Sequence, residues 1–371
     1  MSLPFFPPDL FEADRRALLD AVLEVGTSPD QRFILGERTA RLEAALAEAT
    51  GATHVIACGS GTGGLELSVA ALGIGPGDEV IVPAFCCQPV ASSVINVGAT
   101  PVFADIDPWT LVMDPVATEK LITERTRALM PAHIFSVMAD MAAFEDLGRR
   151  YGIPVIEDAA VAQGAVLDGR PAGRWGDLGV FSFFQVKAFG TAGEGGVVLT
   201  DDDDLAAACR MLRNHGQDGR TRFLHHRIGR NSRFDEILAA FQLHRLPTFA
   251  ERLERRARIA DRYAERFAPL TERGCLAPPV GRDGRCYYVY SLLTERRDEL
   301  QRWLGAQGVG SHIYYPLPLP MQPGFTRWAP QGASWPNAER AGRHNLGIPI
   351  WPHLRDDDVE HIADLVCEFF G

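Results

Sequence analysis

Residues 54–72 read HVIACGSGTGGLELSVAAL, and the fold turns on how this stretch is parsed. The β-rich run HVIA is followed by a cluster of four glycines, and from Thr62 to Leu72 leucines at 65, 67 and 72 mark a helix. Strand, glycine turn and helix in that order make one βα unit. The pattern continues outward. EVIV (79–82), PVFA (101–104), ALMPA (128–132), PVIE (154–157), GVFSF (179–183) and GVVLT (196–200) are short apolar strands separated by helical stretches. One of these helices opens at Asp140, a residue suited to capping. Such alternation predicts an α/β fold with a mostly parallel central sheet flanked by helices.

At 371 residues the chain exceeds what a single core usually sustains, so two domains are expected. The texture changes after Asn231. DEILAAFQLHRLPTFAERLERRARIADRYAERF (235–267) is rich in helix formers, breaks near Pro247 and becomes heavily charged, as a long and partly solvated helix would. Beyond it CYYVYSLL (286–293), a helix near 297–307, the strand-like SHIYY (311–315) and a terminal helix from about 356 suggest a smaller α+β unit. We therefore expect a large domain with an N-terminal arm over 1–248 and a small C-terminal domain over 249–371. Residues 316–336 read as a long loop of the kind that often serves function.

A formal net charge of -11 disfavours a general nucleic-acid binder. The seven cysteines have no CxxC pair or regular spacing, which argues against both a zinc site and a disulfide framework. With no signal-like N-terminus and no apolar run near about 18 residues, a cytoplasmic protein is expected.

The glycines Gly59, Gly61, Gly63 and Gly64 also satisfy G-x-G-x-x-G, which invites a nicotinamide-dinucleotide reading. That reading requires an acid at the carboxyl end of the next strand. Asp78 and Glu79 instead precede EVIV, at the wrong edge of the sheet. A cradle for a single phosphate suits the helix start better. A purely structural turn is the plain alternative.

Asp158 ends the strand PVIE and would face a crevice, since ligands bind outside the carboxyl ends of such strands. Taken alone it could simply cap a following short helix. Lys187, between a strand and a glycine-dense turn, could be a solvated loop lysine. Placed together on one sheet edge, a phosphate cradle, an acid and a lysine fit pyridoxal 5'-phosphate. The phosphate sits on the helix start, the aldehyde condenses with the amine and the ring nitrogen pairs with the carboxylate. A carboxylate about 4 Å from a pyridinium is worth on the order of 4 kcal/mol at an effective dielectric near 20, before desolvation. That keeps the ring protonated and able to accept electrons. A desolvated lysine can lose its proton and serve as nucleophile and proton shuttle.

With these residues in view, GSGTGGLELSVAALGIGPGDEVIVPAF, HIFSVMADM, VIEDAAVAQGA, FSFFQVKAFGTAGEGGVVLT, NHGQ, GRNSRFDEILAAFQL, YPLP and LGIPIWPHL together resemble the DegT/StrS-type sugar aminotransferases of the pyridoxal-phosphate fold type I group. The resemblance implies a homodimeric aminotransferase that moves an amino group, with L-glutamate as donor, to a keto group of a nucleotide-linked deoxysugar or related cyclic ketone. By position Lys187 resembles the Schiff-base lysine and Asp158 the partner of the ring nitrogen. Thr62 and Gly63, with Gly61 beside them, resemble the phosphate cradle, Ser182 a hydroxyl contact to the phosphate, and Asn231 an asparagine reaching the phosphate of the other subunit. The chain departs from the family pattern at Val161, where glutamine is usual, and at Cys87, where an aromatic usually stacks on the cofactor. It also carries Phe184 and Pro320 in place of histidines. Gln163 should point elsewhere on the helix after Asp158.

Three other functions stay open on this reading: a dehydratase of the same fold, which would carry histidine at the lysine position, a pseudoenzyme or interaction protein, and the dinucleotide oxidoreductase. His133 could be structural or catalytic. Arg230 and Arg233 could meet an anionic nucleotide or only solvent, and Tyr314, Tyr315 and Trp351 could form a substrate wall or core. The histidines 215, 225 and 226 lack a third partner for a metal.

Overall fold

The computed structural model describes residues 2–7, 10–135, 137–278, 280 and 284–371; Ser136, within the HIFSVMADM stretch, lies outside them. The chain begins with helices α1 (Arg15–Gly26) and α2 (Glu37–Thr50) and then alternates through β1 (His54–Cys58), α3 (Gly61–Ala71), β2 (Glu79–Pro83), α4 (Pro89–Ile95), β3 (Thr100–Ala104), α5 (Pro115–Glu119), β4 (Thr126–Leu129), α6 (Met141–Tyr151) and β5 (Ile156–Asp158). A small hairpin of β6 (Val166–Leu167) and β7 (Arg170–Pro171) precedes β8 (Leu178–Ser182) and β9 (Gly196–Thr200). Helices α7 (Asp203–Leu212), α8 (Glu236–Arg245) and α9 (Phe249–Glu272) follow, then β10 (Tyr290–Leu293), α10 (Arg297–Ala306), α11 (Pro336–His344), β11 (Asn345–Ile348) and α12 (Asp356–Phe370).

Two sheet segments, β3-β2-β4 and β5-β8-β9-β1, are stitched into one array across β4 and β5. The stitches are parallel bridges Leu129–Val155 and Ala132–Asp158, with Asp158 N–H donating to Pro131 O at 2.9 Å and His133 N–H to Asp158 O at 3.0 Å. β4 was expected to reach residue 132. Its regular pairing ends at Leu129: Met130 N–H still donates to Ile81 O at 2.9 Å, but Pro131 has no N–H to donate, and the next bridge is at Ala132. The strand order is therefore 3-2-4-5-8-9-1, with β9 alone antiparallel to its neighbours. The carboxyl ends of the other strands meet along one edge. Every residue of β2, β8 and β9 is buried, as expected of strands covered by helices on both faces.

The described residues form two apolar cores, and α9 takes part in both. Its Phe249 and Leu253 pack on the core of the sheet, whereas Ile259, Tyr263, Phe267 and Leu270 pack in a second core with Tyr290, Leu292, Leu346, Ile348, Ile362 and Val366. The chain also returns to the first core through Cys286, Tyr288, Leu319 and Trp335. The long loop is tied down there: Leu319 N–H donates to Ala84 O at 2.7 Å and Trp335 Nε1 to Phe103 O at 2.9 Å. Two short 3-10 turns, Leu319–Met321 and Thr326–Trp328, interrupt it.

Three local expectations change. The stretch 311–315 is no strand; only His312 bridges Gly347, because Tyr315 takes a φ of 56° and Tyr314 N–H turns to the Asn345 side chain. The strand expected over 286–293 begins at Tyr290, since Tyr287 has a φ of 44°. No helix follows Asp158. Its carboxylate instead accepts from Ala160 N–H at 3.0 Å, a two-residue turn, so the expectation that Gln163 sits on a helix fails with it. Among the described residues no helix is long and apolar enough to cross a membrane.

Candidate active site

The start of α3 is built by small residues on three strands. Ser60 caps the helix, its hydroxyl accepting from Gly63 N–H at 2.9 Å. The Thr62 N–H belongs to the first turn, which has no intrahelical acceptors, and no described residue accepts from it. Gly196 of β9 pairs with Cys58 on one side and Ser182 on the other, at the level where the helix begins. A Cβ on Gly196 would lie 2.7 Å from Gly61 N, and one on Gly61 2.7 Å from the Cβ of Ser182. Only glycine at both positions lets the helix start settle against Ser182. A Cβ on Gly63 would meet the Ser232 hydroxyl at 2.5 Å. Ser182 Oγ accepts from Phe184 N–H at 3.3 Å, leaving its own hydrogen free to donate. The result is a polar, crowded hollow at the positive end of a helix, suited to an anion.

One strand separates this hollow from the acid. Asp158 is the register partner of Val180 in β8, two residues before Ser182. It is 4% exposed, and burial pushes its carboxyl above the usual carboxylate range, while Ala160 N–H, Lys187 and His133 pull the other way. One carboxylate oxygen takes the Ala160 N–H; no described residue donates to the other. An acid kept from water with an open lone pair is a group waiting for a cationic donor.

Lys187 lies in the turn after β8, its N–H bonded to Phe184 O at 2.8 Å. Its ammonium stands 4.6 Å from the ring centroid of Tyr288, a cation–π contact with a ring from the far end of the chain. The field of Lys187 reaches both Asp158 and Cys87. Cys87, after the end of β2, therefore faces the space shared by the acid and the amine. The thiols of Cys86 and Cys87 interact. The hydrogen bond between them, helped by burial, pushes Cys86 up, and the same bond draws Cys87 down against its own burial. Tyr315 helps draw Cys87 down and packs edge-on against Phe85 at 5.5 Å, so it belongs to the wall of this space.

His133 is spoken for. Its Nε2 lies 2.7 Å from Glu157 Oε1 and its Nδ1 accepts from Ala139 N–H at 3.1 Å, which assigns the ring proton to Nε2. Glu157 in turn accepts from Gly173 N–H at 2.6 Å and Trp175 N–H at 2.8 Å. This is a closed structural network behind the acid.

Asn231 is exposed, and its Oδ1 accepts from Arg233 Nε at 3.0 Å. Its neighbour Ser232 touches the helix start, but the Asn231 side chain does not join Asp158 and Lys187. Arg230 is paired with Glu66. Among the described residues no group of histidine, cysteine and carboxylate side chains could hold a metal ion. Tyr288 and Cys86 went unnoticed in sequence, since a run such as CYYVYSLL reads as a strand and gives no sign of which ring turns inward.

The arrangement couples an anion cradle, a buried acid and an amine along one sheet edge. The sequence profile of the DegT/DnrJ/EryC1/StrS aminotransferase family matches residues 13–367. Over 341 residues the chain is 39% identical to the pleiotropic regulatory protein of Geobacillus stearothermophilus, with 91% of each chain covered. Over 338 residues it is 39% identical to UDP-N-acetyl-3-dehydro-alpha-D-glucosamine 3-aminotransferase of Acidithiobacillus ferrooxidans, covering 91% of this chain and 90% of that one. Streptomyces venezuelae DesV, solved in complex with a ketimine intermediate, superposes with a TM-score of 0.94 at 36% identity, covering 99% of this chain and 98% of that chain.

Proposed function

The chain belongs to the DegT/DnrJ/EryC1/StrS aminotransferase family, and from that premise we propose that it is a pyridoxal 5'-phosphate enzyme moving an amino group from L-glutamate to a keto group of a nucleotide-linked sugar. The observation that carries this reading is the shared sheet edge of Asp158, Ser182 and Lys187 beside the start of α3. The donor set suits the cofactor. A phosphate would take the Thr62 N–H and the Ser182 hydroxyl in the hollow kept open by Gly61 and Gly63, a ring nitrogen the free oxygen of Asp158, and an aldehyde the Lys187 amine. Gly63 N–H joins the phosphate only by leaving the Ser60 hydroxyl. When bound, the cofactor supplies an electron sink and a place to store the amine.

The chain's own residues supply the rest. Asp158, shielded from water, would have its charge offset by a protonated ring nitrogen. Lys187 Nζ, when not bonded to the aldehyde, would be the group that takes the proton from the donor's α-carbon, and the Tyr288 ring 4.6 Å away walls the amine on one side. Cys87 lies within the field of both Asp158 and Lys187, so it would border a ring held between them. A thiol there gives a soft, small contact in place of a stacked aromatic.

Asn231 acts, in this reading, on the partner subunit of a homodimer. It is exposed on its own chain, and the loop before it displays Phe223, Leu224 and Ile228 at 72%, 48% and 97% exposure, an apolar surface that a second copy would cover. The nucleotide-sugar acceptor follows from the relative in Acidithiobacillus ferrooxidans.

Incubating the purified protein and cofactor with 15N-labelled L-glutamate and a panel of 3-keto and 4-keto nucleotide sugars tests this. The expected result is 2-oxoglutarate formed in step with 15N in one aminated sugar. No label in any sugar, with glutamate left intact, would overturn it.

A further inference from the structure

A cavity of about 40 Å³ lies beside Lys187 and is not lined by Asp158. Three distant parts of the chain enclose it: the N-terminal arm with Phe6 and Leu10, the region where α8 passes into α9, and Trp351 beyond β11. Its charge is unbalanced. Lys187, Arg245, Arg252 and Arg256 all line it. Among the described residues one carboxylate, Asp14, pairs with two of these cations, 3.1 Å from Arg245 Nε and 3.0 Å from Arg252 Nη2.

Arg256 pairs with no acid among the described residues. It is 6% exposed, its Nη1 donates to the carbonyls of Tyr287, Tyr288 and Ile350 at 3.1, 3.3 and 2.9 Å, and its Nε has no partner. Burial lowers it to about 10, so it remains a cation at neutral pH. A buried guanidinium with an unused donor is costly unless an anion completes it. A volume of this size admits about three water-sized spheres. That fits a carboxylate group and excludes an entire amino acid.

We propose that this cavity receives the side-chain carboxylate of a dicarboxylic amino donor, an inference that rests on the transaminase reading above. The arginine forks match a carboxylate in geometry. Lys187 forms part of the wall, so a donor anchored there by its far end presents its amine within the same site. The cavity would then select glutamate over donors that lack a second carboxylate.

Two measurements test it. Calorimetry of the cofactor-free protein with glutarate reads the cavity alone, and absorbance titration of the cofactor-loaded protein with L-glutamate and with L-alanine reads donor choice. The variants are Arg252→Gln and Gln185→Glu; Gln185 is exposed on the cavity rim, so the nearly isosteric change places a repelling charge there without disturbing the core. Glutarate should bind the native protein, and each variant should weaken it about tenfold or more, the usual loss of a charged hydrogen bond. The preference for glutamate over alanine should fall in parallel. Unchanged glutarate affinity and unchanged donor preference in both variants would overturn the proposal. If neither amino acid changes the native spectrum, the transaminase reading fails, and glutarate binding still decides whether the cavity takes a carboxylate.

Discussion

Gly61 and Ser182 stand so close that a Cβ on the glycine would lie 2.7 Å from the serine Cβ. The contact joins the start of α3 to the end of β8, and no flexible side-chain tip is available to yield. Gly61→Ala should cost about 1–3 kcal/mol, as overpacking does, and should weaken cofactor binding by at least about tenfold. Denaturant midpoints and cofactor titrations check both. Gly305→Ala is the control: nothing lies within 4 Å of its would-be Cβ inside α10, so it should stabilise by about 0.5–1 kcal/mol.

Asp158 carries a stability penalty that its function explains. Its carboxyl titrates above the ordinary value in the folded chain, chiefly through burial, so the folded state holds more protons than the unfolded one. Stability must therefore fall as pH rises from the ordinary carboxylate value near about 3.9 to the raised one. Asp158→Asn removes that slope. Without cofactor the variant should melt higher than the native protein at neutral pH, and the gap should close in acid. With pyridoxal phosphate added the order should reverse, because the native protein, which keeps the partner of the ring nitrogen, is stabilised more by binding. Thermal melts at several pH values decide it; a less stable cofactor-free variant would contradict the account.

His133 is predicted to be a structural residue. It holds the buried Glu157 at 2.7 Å, and His133→Ala leaves that carboxylate short of a partner. A loss of about 2–4 kcal/mol in unfolding free energy should follow. At a temperature where the variant stays folded, its rate with glutamate should remain within about threefold of native. A collapse in rate at unchanged stability would make it a catalytic group instead.

How far the sequence was legible depended on range. Strands and helices with strong local patterns, such as HVIA or the helix opening at Asp140, stand where expected, and Asp140 does accept from Ala143 N–H at 3.1 Å. Helices α11 and α2 escaped local capping rules. The first turn of α11 is capped by Asp105, 2.9 Å from Ala338 N–H, and that of α2 by Glu236, 2.8 Å from Arg38 N–H. A cap some two hundred residues away leaves no local signal. The same holds for the site: the glycines, Asp158 and Lys187 could be read from their strand ends, whereas Tyr288 under the lysine and the arginines beside it come together only through tertiary packing.

Asn231 gives a test of shared sites. If it serves the partner subunit, Lys187→Ala and Asn231→Ala chains, each impaired alone, should regain activity when mixed and allowed to exchange. Half of the sites in a hybrid dimer then have both residues intact. No recovery in hybrids proven by mass spectrometry would mean that each subunit works alone.

The central claim is that Lys187 is the amine that holds the cofactor, paired through it with Asp158. Borohydride treatment of the protein loaded with pyridoxal phosphate, followed by peptide mass spectrometry, measures this directly. The account predicts a visible absorbance band that reduction abolishes, one reduced phosphopyridoxyl group on the peptide carrying Lys187, and neither in Lys187→Ala. A saturated protein with no adduct, or an adduct at any other lysine, would contradict it.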